Sequence, residues 1–160
     1  MNAGAFGKRI GEFVLSVETL SDGKIKKYDK RDCRFGYRKS KFLTGKEVIF
    51  AATFVLTDKE TESASEILKK REEKQPKGKT CGSVFKNPDG DFAGRLIEKA
   101  GLKGKKIGGA EISDKHANFI INDGTATAKD VASLILLSKK RVKELFGVEL
   151  KEEVRLLGEF

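Results

Sequence analysis

Over residues 11–28 hydrophobic and polar positions alternate: Phe13, Leu15 and Val17 interleave with Ser16 and Glu18. That period of two sends successive side chains to opposite faces of a strand, and Ser21-Asp22-Gly23 supplies turn chemistry before Ile25, so the segment predicts a hairpin. Residues 48–56 are a near-continuous apolar run rich in β-branched and aromatic side chains. Such a run suits a strand covered on both faces, which implies a sheet inside something larger.

The pattern changes at residue 58. Residues 58–79 are dominated by Lys, Glu, Arg and Ser, with Ala64, Ile67 and Leu68 as a thin apolar stripe. This predicts a mostly solvated helix, with Asp58 as its N-cap, ending before Gln75-Pro76. It also marks the clearest boundary in the chain. Beyond it come a Gly-rich segment over residues 81–90, a short helix over residues 93–100 stopped by Gly101, and strands over residues 107–112 and 118–121. Residues 128–146 carry Val131, Leu134, Ile135, Ser138, Val142, Leu145 and Phe146 at the i, i+3, i+4 spacing of one buried helical face. Thr127 and Asp130 make a capping-box start and Gly147 a stop. A last strand is expected over residues 148–157, where Val148, Leu150, Val154 and Leu156 alternate with polar positions. The fold class is α+β, with helices packed on a small sheet in the second half.

Length and charge narrow the picture. A chain of 160 residues fits one domain, or one domain carrying a piece of another. With 38% hydrophobic residues and only 2 Pro against 17 Gly, it is a foldable sequence despite its 36% charged residues. The net charge of +9 favours anionic partners without choosing among them. Cys33 and Cys81 are far apart and form no C-x-x-C, so neither a disulfide nor a metal site is expected, which fits reduced thiols in the cytoplasm. No apolar run approaches the roughly 18 residues of a membrane span, and no basic segment precedes an apolar one at the start, so no membrane partner is expected.

Several chemistries can be set aside. Gly45-Lys46 and Gly104-Lys105 lack the following Ser or Thr of a P-loop, and Gly4, Gly7 and Gly11 do not follow a strand as a dinucleotide-binding fingerprint requires. His116 is the only histidine, and Ser83 lacks the flanking glycines of a G-x-S-x-G elbow, so a triad is unsupported. His116 reads as a structural residue between Lys115 and a buried strand. Lys139-Lys140-Arg141-Lys143 reads as a solvated helix face offsetting the macrodipole, whereas Lys103, Lys105 and Lys106 either do the same or face a phosphate.

Three segments combine polar groups more specifically. Residues 33–42 place Arg38 between an aromatic residue and Ser40, suited to gripping a carboxylate. Residues 82–88 put the hydroxyl of Ser83, Lys86 and Asn87 where an anionic ligand could lie, and residues 149–155 place Glu and Arg on the last expected strand. A serine can work without a triad, as a proton donor to a carbanion.

Together these segments resemble one family, the UDP-N-acetylenolpyruvoylglucosamine reductases. The resemblance is carried by Asn2-Ala3-Gly4-Ala5-Phe6-Gly7, Phe35-Gly36-Tyr37-Arg38-Lys39-Ser40, Lys74-Gln75-Pro76, Gly82-Ser83-Val84-Phe85-Lys86-Asn87-Pro88, Ala93-Gly94-Arg95-Leu96-Ile97-Glu98-Lys99-Ala100-Gly101-Leu102, Ile107-Gly108-Gly109-Ala110, Lys115-His116-Ala117-Asn118-Phe119-Ile120-Ile121-Asn122, Phe146-Gly147-Val148 and Glu153-Val154-Arg155. It implies an oxidoreductase of peptidoglycan precursor synthesis, and so of cell wall biogenesis, cell shape and cell division. NADPH would reduce FAD, and the flavoprotein would reduce UDP-N-acetylglucosamine enolpyruvate to UDP-N-acetylmuramate. Hydride addition makes an enolate of a carboxylate, which needs cationic and hydrogen-bonding stabilisation. The resemblance gives that role to Arg38, proton donation to Ser83 and the catalytic glutamate to Glu153, although alternation alone points to Glu152. It places Tyr37, Lys74, Lys86 and Asn87 along the substrate and Asn2, Gly4 and Ala5 along one edge of the flavin, with no metal.

The family's N-terminal flavin domain, with its Gly-rich diphosphate loop, is absent from the sequence. The expectation is a fragment: residues 1–58 as the end of a FAD-binding α+β domain, residues 59–160 as a small α/β substrate-binding C-terminal domain, and Met1 as an internal methionine used as a start. Activity would then require a missing N-terminal FAD-binding half. The alternative is a non-catalytic basic module holding an anionic nucleotide or nucleic acid.

Overall fold

The computed structural model describes residues 1–56 and 63–158. The chain divides into two compact units, residues 1–61 and 62–160. The expected boundary at residues 58 and 59 lies outside the described residues, as does the expected N-cap Asp58.

The first unit is built on antiparallel strands. Strands β1 (Gly4–Ala5) and β2 (Lys8–Arg9) are joined by Phe6 and Gly7, both at positive φ. Strands β3 (Val14–Ser21) and β4 (Lys24–Asp29) form the expected hairpin. Asp22 and Gly23 sit at φ 50° and 71°, the left-handed pair whose twist matches that of the flanking strands. Strand β5 (Val48–Phe54) pairs with the other side of β3, giving the order β4-β3-β5. Val14, Val17 and Cys33 are the buried core, with Tyr28, Phe35 and Phe42 packed against it. Leu15 departs from the expected apolar face, since it is exposed while Thr19 is fully buried. A polar contact explains the exchange: Thr19 and Tyr28 both donate to Glu47, at 2.9 and 2.8 Å. The covered strand expected over residues 48–56 is also corrected. All seven residues of β5 are exposed, because among the described residues it pairs only with β3.

The second unit begins with helix α1 (Ala64–Lys74), which starts on a capping box between Ser63 and Glu66 and buries no residue. Strands β6 (Lys79–Ser83), β7 (Lys106–Ile107), β8 (Ala110–Ile112) and β9 (Phe119–Asn122) form an antiparallel sheet in the order β6-β9-β8-β7. Helix α2 (Ala93–Lys99) packs against helix α3 (Ala128–Phe146), which lies against β7 and β8. Val84, Ile97, Ile112 and Leu134 lie at the centre of the core between them.

Three sequence expectations change here. The strand over residues 107–112 is a hairpin, β7 and β8, turning at Gly108 and Gly109. A Cβ on Gly109 would collide with the Ala126 backbone and the side chains of Thr125 and Asp123, so only glycine fits there. The last strand does not form. Leu150 is buried and Val148 and Val154 pack on the core, but the segment makes a single bridge, Glu152 to Phe85; packing satisfies its alternation without a ladder. Leu145 and Phe146, expected on the buried face of α3, are exposed, since the buried residues of the helix end at Val142.

Candidate active site

Ser83 ends β6 at a break in the sheet. Gly82 sits at φ 83°, and the pairing of β6 with β9 shifts register between Thr80 and Ser83. The buried side chain of Asn118 takes over where the ladder stops: its Nδ2 donates to the Phe85 carbonyl at 2.8 Å and its Oδ1 accepts from the Phe85 N–H at 2.9 Å. The Val84 N–H also donates to the Asn118 carbonyl, at 2.8 Å. Residues 83–85 are thereby held without a regular strand. Asn87 folds back so that its Oδ1 accepts from the Ala93 N–H at the start of α2, at 3.1 Å.

A cleft of about 350 Å³ opens beside this turn, lined by Ser83, Asn87, Phe92, Arg95, His116 and Asn118 among others. The Ser83 hydroxyl is half-buried and makes no hydrogen bond to a described residue. Arg95 is held by Asp91, whose carboxyl this contact, with the Phe92 N–H, lowers below the usual range.

His116 is a second lining residue, and sequence reasoning read it as structural. Burial, with help from Lys103, pushes its pKa down, so the ring is neutral at physiological pH. The Asn118 N–H donates to Nδ1 at 3.2 Å, which leaves the proton on Nε2. The ring packs edge-on to Phe119 and so near α2 that a Cβ on Gly94 would lie 3.0 Å from Cε1. Nε2–H has no partner among the described residues. The signals that could have revealed the arrangement are Gly94 and the spacing of His116 and Asn118.

Residues 151–154 run alongside the same turn. The Lys86 N–H donates to the Lys151 carbonyl at 2.9 Å, and the Glu153 N–H donates to the Val84 carbonyl at 2.8 Å. The carboxylate of Glu152 accepts from Lys139 of α3 at 2.6 Å. Burial raises its pKa, but the bond to Lys139 leaves the net shift downward. The alternation that singles out Glu152 therefore reports an ion pair to a helix. Glu153, the next residue, has its backbone one position from Ser83. Lys74 is the exposed last residue of α1.

Within the first unit, Tyr37 and Arg38 form the tip of a tight turn closed by hydrogen bonds between Gly36 and Lys39. Arg38 sits at φ 49°, a conformation unfavourable for a side chain with a Cβ. Its guanidinium lies 5.3 Å from the Tyr37 ring centre and 3.5 Å from the Gly4 carbonyl. Asn2 is buried beneath, donating to the Gly36 carbonyl and accepting from the Gly11 N–H, both at 2.8 Å. The structure thus gathers Asn2, Gly4, Tyr37 and Arg38, and separately Ser83, Lys86, Asn87 and Glu153. The Asn2 amide is engaged at both ends within its own unit, Gly4 is half-buried and Ala5 is exposed.

The basic runs are largely matched internally. Lys103 pairs with Glu98, Lys106 with Glu111 and Lys143 with Glu149. Cys33 is buried and Cys81 exposed, both as free thiols. Among the described residues no group of His, Cys, Asp and Glu could hold a metal, and no helix is long and apolar enough to cross a membrane.

Comparison with known proteins gives a consistent result. A family model described as the UDP-N-acetylenolpyruvoylglucosamine reductase C-terminal domain matches residues 74–157. The UDP-N-acetylenolpyruvoylglucosamine reductase of Thermotoga petrophila is 49% identical over 162 residues, covering 98% of this chain and 57% of that protein. The protein of the same name from Clostridium botulinum (strain Eklund 17B / Type B) is 45% identical over 165 residues, covering 99% and 54%. The crystal structure of UDP-N-acetylenolpyruvylglucosamine reductase (MurB) from Thermus caldophilus matches with a TM-score of 0.80 at 39% identity, covering 96% of this chain and 57% of that one. The chain spans about half the length of the curated relatives it matches.

Proposed function

The chain belongs to the UDP-N-acetylenolpyruvoylglucosamine reductase C-terminal domain family, and from that premise we propose that it supplies the substrate side of an FAD- and NADPH-dependent reduction of UDP-N-acetylglucosamine enolpyruvate to UDP-N-acetylmuramate, in the cytoplasm. In this reading residues 1–58 complete a flavin-binding domain provided mainly by another half, and residues 59–160 bind substrate. The hydride is the flavin's chemistry, drawn from NADPH. This chain's residues manage the charge and the proton. Addition to the enolpyruvyl double bond places negative charge on the carbon bearing the carboxylate, and Arg38 stabilises that charge. The Ser83 O–H then delivers its proton to the same carbon. Glu153, whose N–H bonds the Val84 carbonyl next to Ser83, is the catalytic glutamate, and Tyr37, Lys74, Lys86 and Asn87 line the diphosphate and sugar. His116, through Nε2–H, adds a neutral donor that suits a carbonyl or hydroxyl oxygen of the substrate.

The observation that carries the reading is the Ser83 hydroxyl, which makes no hydrogen bond to a described residue and is held on a Gly82 turn by Asn118 at the wall of the cleft. A reactive proton donor needs this arrangement, fixed in position and not already bonded. The test is reconstitution with the flavin-binding half of a relative, following flavin reoxidation by the enolpyruvyl substrate. Ser83→Ala should slow that step by about 10²- to 10⁴-fold, and unchanged turnover would overturn the assignment. The reading as a basic nucleic-acid module has less support, since Lys103, Lys106 and Lys143 are already ion-paired.

A further inference from the structure

Beyond Gly147 the chain turns back along the last turns of α3. Lys143 pairs with Glu149, and Lys139, one turn earlier on the same helical face, pairs with Glu152, each at 2.6 Å. Packing does not close this seam. A cleft of about 400 Å³ lies along it, lined by Leu150 and six charged residues. The two ion pairs tie the returning segment to the helix across that cleft.

The two ties differ in weight. The side chains of Lys143 and Glu149 are 62% and 69% exposed, so water and salt screen the pair and it fixes little. Those of Lys139 and Glu152 are 38% and 33% exposed. Burial acts to raise the pKa of Glu152, and the bond to Lys139 reverses that effect. Without the lysine a half-buried carboxylate would lose its partner, and its relief requires the segment to move toward water.

The segment in question carries Glu153. Among the described residues three backbone hydrogen bonds hold residues 151–154, all on the side of the Ser83 turn. The Lys86 N–H donates to the Lys151 carbonyl at 2.9 Å, while the N–H groups of Glu153 and Val154 share one acceptor, the Val84 carbonyl, at 2.8 and 3.4 Å. Two consecutive donors on one carbonyl make a soft register, since a small slide trades one bond for the other. The backbone alone therefore leaves the place of Glu153 loosely specified, and a tie from the opposite side is needed to select it.

We propose that Lys139 is a positioning residue of the reductase: by pairing with Glu152 across the α3 seam it fixes the register of residues 151–154 on the Ser83 turn, and with it the place of Glu153 relative to Ser83. This rests on the role given to Glu153 in the proposed function. Misplacing a catalytic group by about 1 Å can cost about 10²-fold in rate, so the effect belongs in kcat and not in substrate affinity.

The test compares Lys139→Met, Lys139→Arg, Glu152→Gln and, for the exposed pair, Lys143→Met in the full chain. Hydrogen exchange of the chain by itself should show the amides of Lys86, Glu153 and Val154 opening about tenfold faster in Lys139→Met and in Glu152→Gln, and no faster when the two are combined, because they act through one contact. Lys139→Arg and Lys143→Met should exchange as the parent chain does. In the chain reconstituted with the flavin-binding half of a relative, Lys139→Met should lower kcat about tenfold with KM within about twofold, and Lys139→Arg should restore it. The proposal is overturned by parental exchange at these amides in Lys139→Met, by equal effects of Lys139→Met and Lys143→Met, by a loss of protection spread evenly over α3, or by a change in KM instead of kcat. Glu153→Gln separates the proposal from the reading beneath it. Normal turnover in that variant would sink the catalytic role of Glu153 and the consequence claimed for Lys139, whereas reduced turnover there beside normal turnover in Lys139→Met would overturn the positioning role alone.

Discussion

Asn118 shows how a single side chain can replace a stretch of secondary structure. Its amide satisfies both backbone groups of Phe85 where β6 leaves the sheet, and its own N–H sets the tautomer of His116. Asn118→Ala would leave a buried N–H and a buried C=O unpaired, so the second unit should lose about 2–4 kcal/mol in denaturant titration. Ser83→Ala removes a hydroxyl with no partner among the described residues and should leave that stability within about 0.5 kcal/mol. His116 makes a pH prediction. Its folded pKa lies below the ordinary 6.5, so the unfolded chain binds the extra proton first, and its contribution to stability is present above pH 6.5 and lost as pH falls toward the folded value. His116→Gln should flatten that slope, and equal slopes between pH 5 and 7 would refute the neutral assignment. Asp91, Asp123 and Asp130 share the acid-side sign, but their lowered pKa values act below the ordinary 3.8, outside this window. Arg38 carries backbone strain at φ 49°. Arg38→Gly relieves it while adding freedom to the unfolded chain, so stability should stay within about 1 kcal/mol. Turnover in the reconstituted enzyme should still fall by about 10²-fold or more.

Among the elements, α3 is held at both ends by devices readable in the sequence. Thr127 and Asp130 form the reciprocal capping box, and Gly147 closes the helix at φ 69°. Thr127→Ala should cost about 1 kcal/mol. Lys143→Ala, which removes an exposed pair with Glu149, should cost under about 0.5 kcal/mol, and thermal melts of the two would check the contrast. The same contrast accounts for what was legible. Patterns closed within a few residues, such as the α3 caps and the Asp22-Gly23 turn, were readable because local chemistry decides them. Residues 107–112 became two strands because Gly109 meets Ala126 and Asp123, contacts that no local pattern records. Residues 148–157 kept their alternation but lost their ladder, because Asn118 already holds residues 84 and 85 from the other side. The candidate site was legible only where motif residues carry the chemistry themselves. Ser83 and Asn87 were so marked, whereas Asn118 and the orientation of His116 depend on partners brought together by the fold.

At the scale of the whole molecule, the two units differ in the core that each possesses. Among the described residues the second has fifteen buried hydrophobic residues in one cluster, and the first has three. Four of the fifteen are alanines, but the remaining difference is still several Val-, Leu-, Ile- or Phe-sized side chains, each contributing roughly 1.5–3 kcal/mol on burial. The described polar contacts of the first unit, Thr19 and Tyr28 to Glu47 and Asn2 to Gly36 and Gly11, are too few to replace it, since a hydrogen bond contributes little net once its exchange with water is counted. Unfolding of the chain should therefore not be two-state. In native-state hydrogen exchange under increasing denaturant, the amides of β3 and β4 should lose protection well before those of β9 and α3. The Ser83 turn belongs to the more stable unit and Arg38 to the weaker one, so mild denaturant should disorder the Arg38 turn while the cleft beside Ser83 still stands. A single transition with equal protection in β3 and α3 would show that the two units draw on one shared source of stability, and would refute the division of the core set out above.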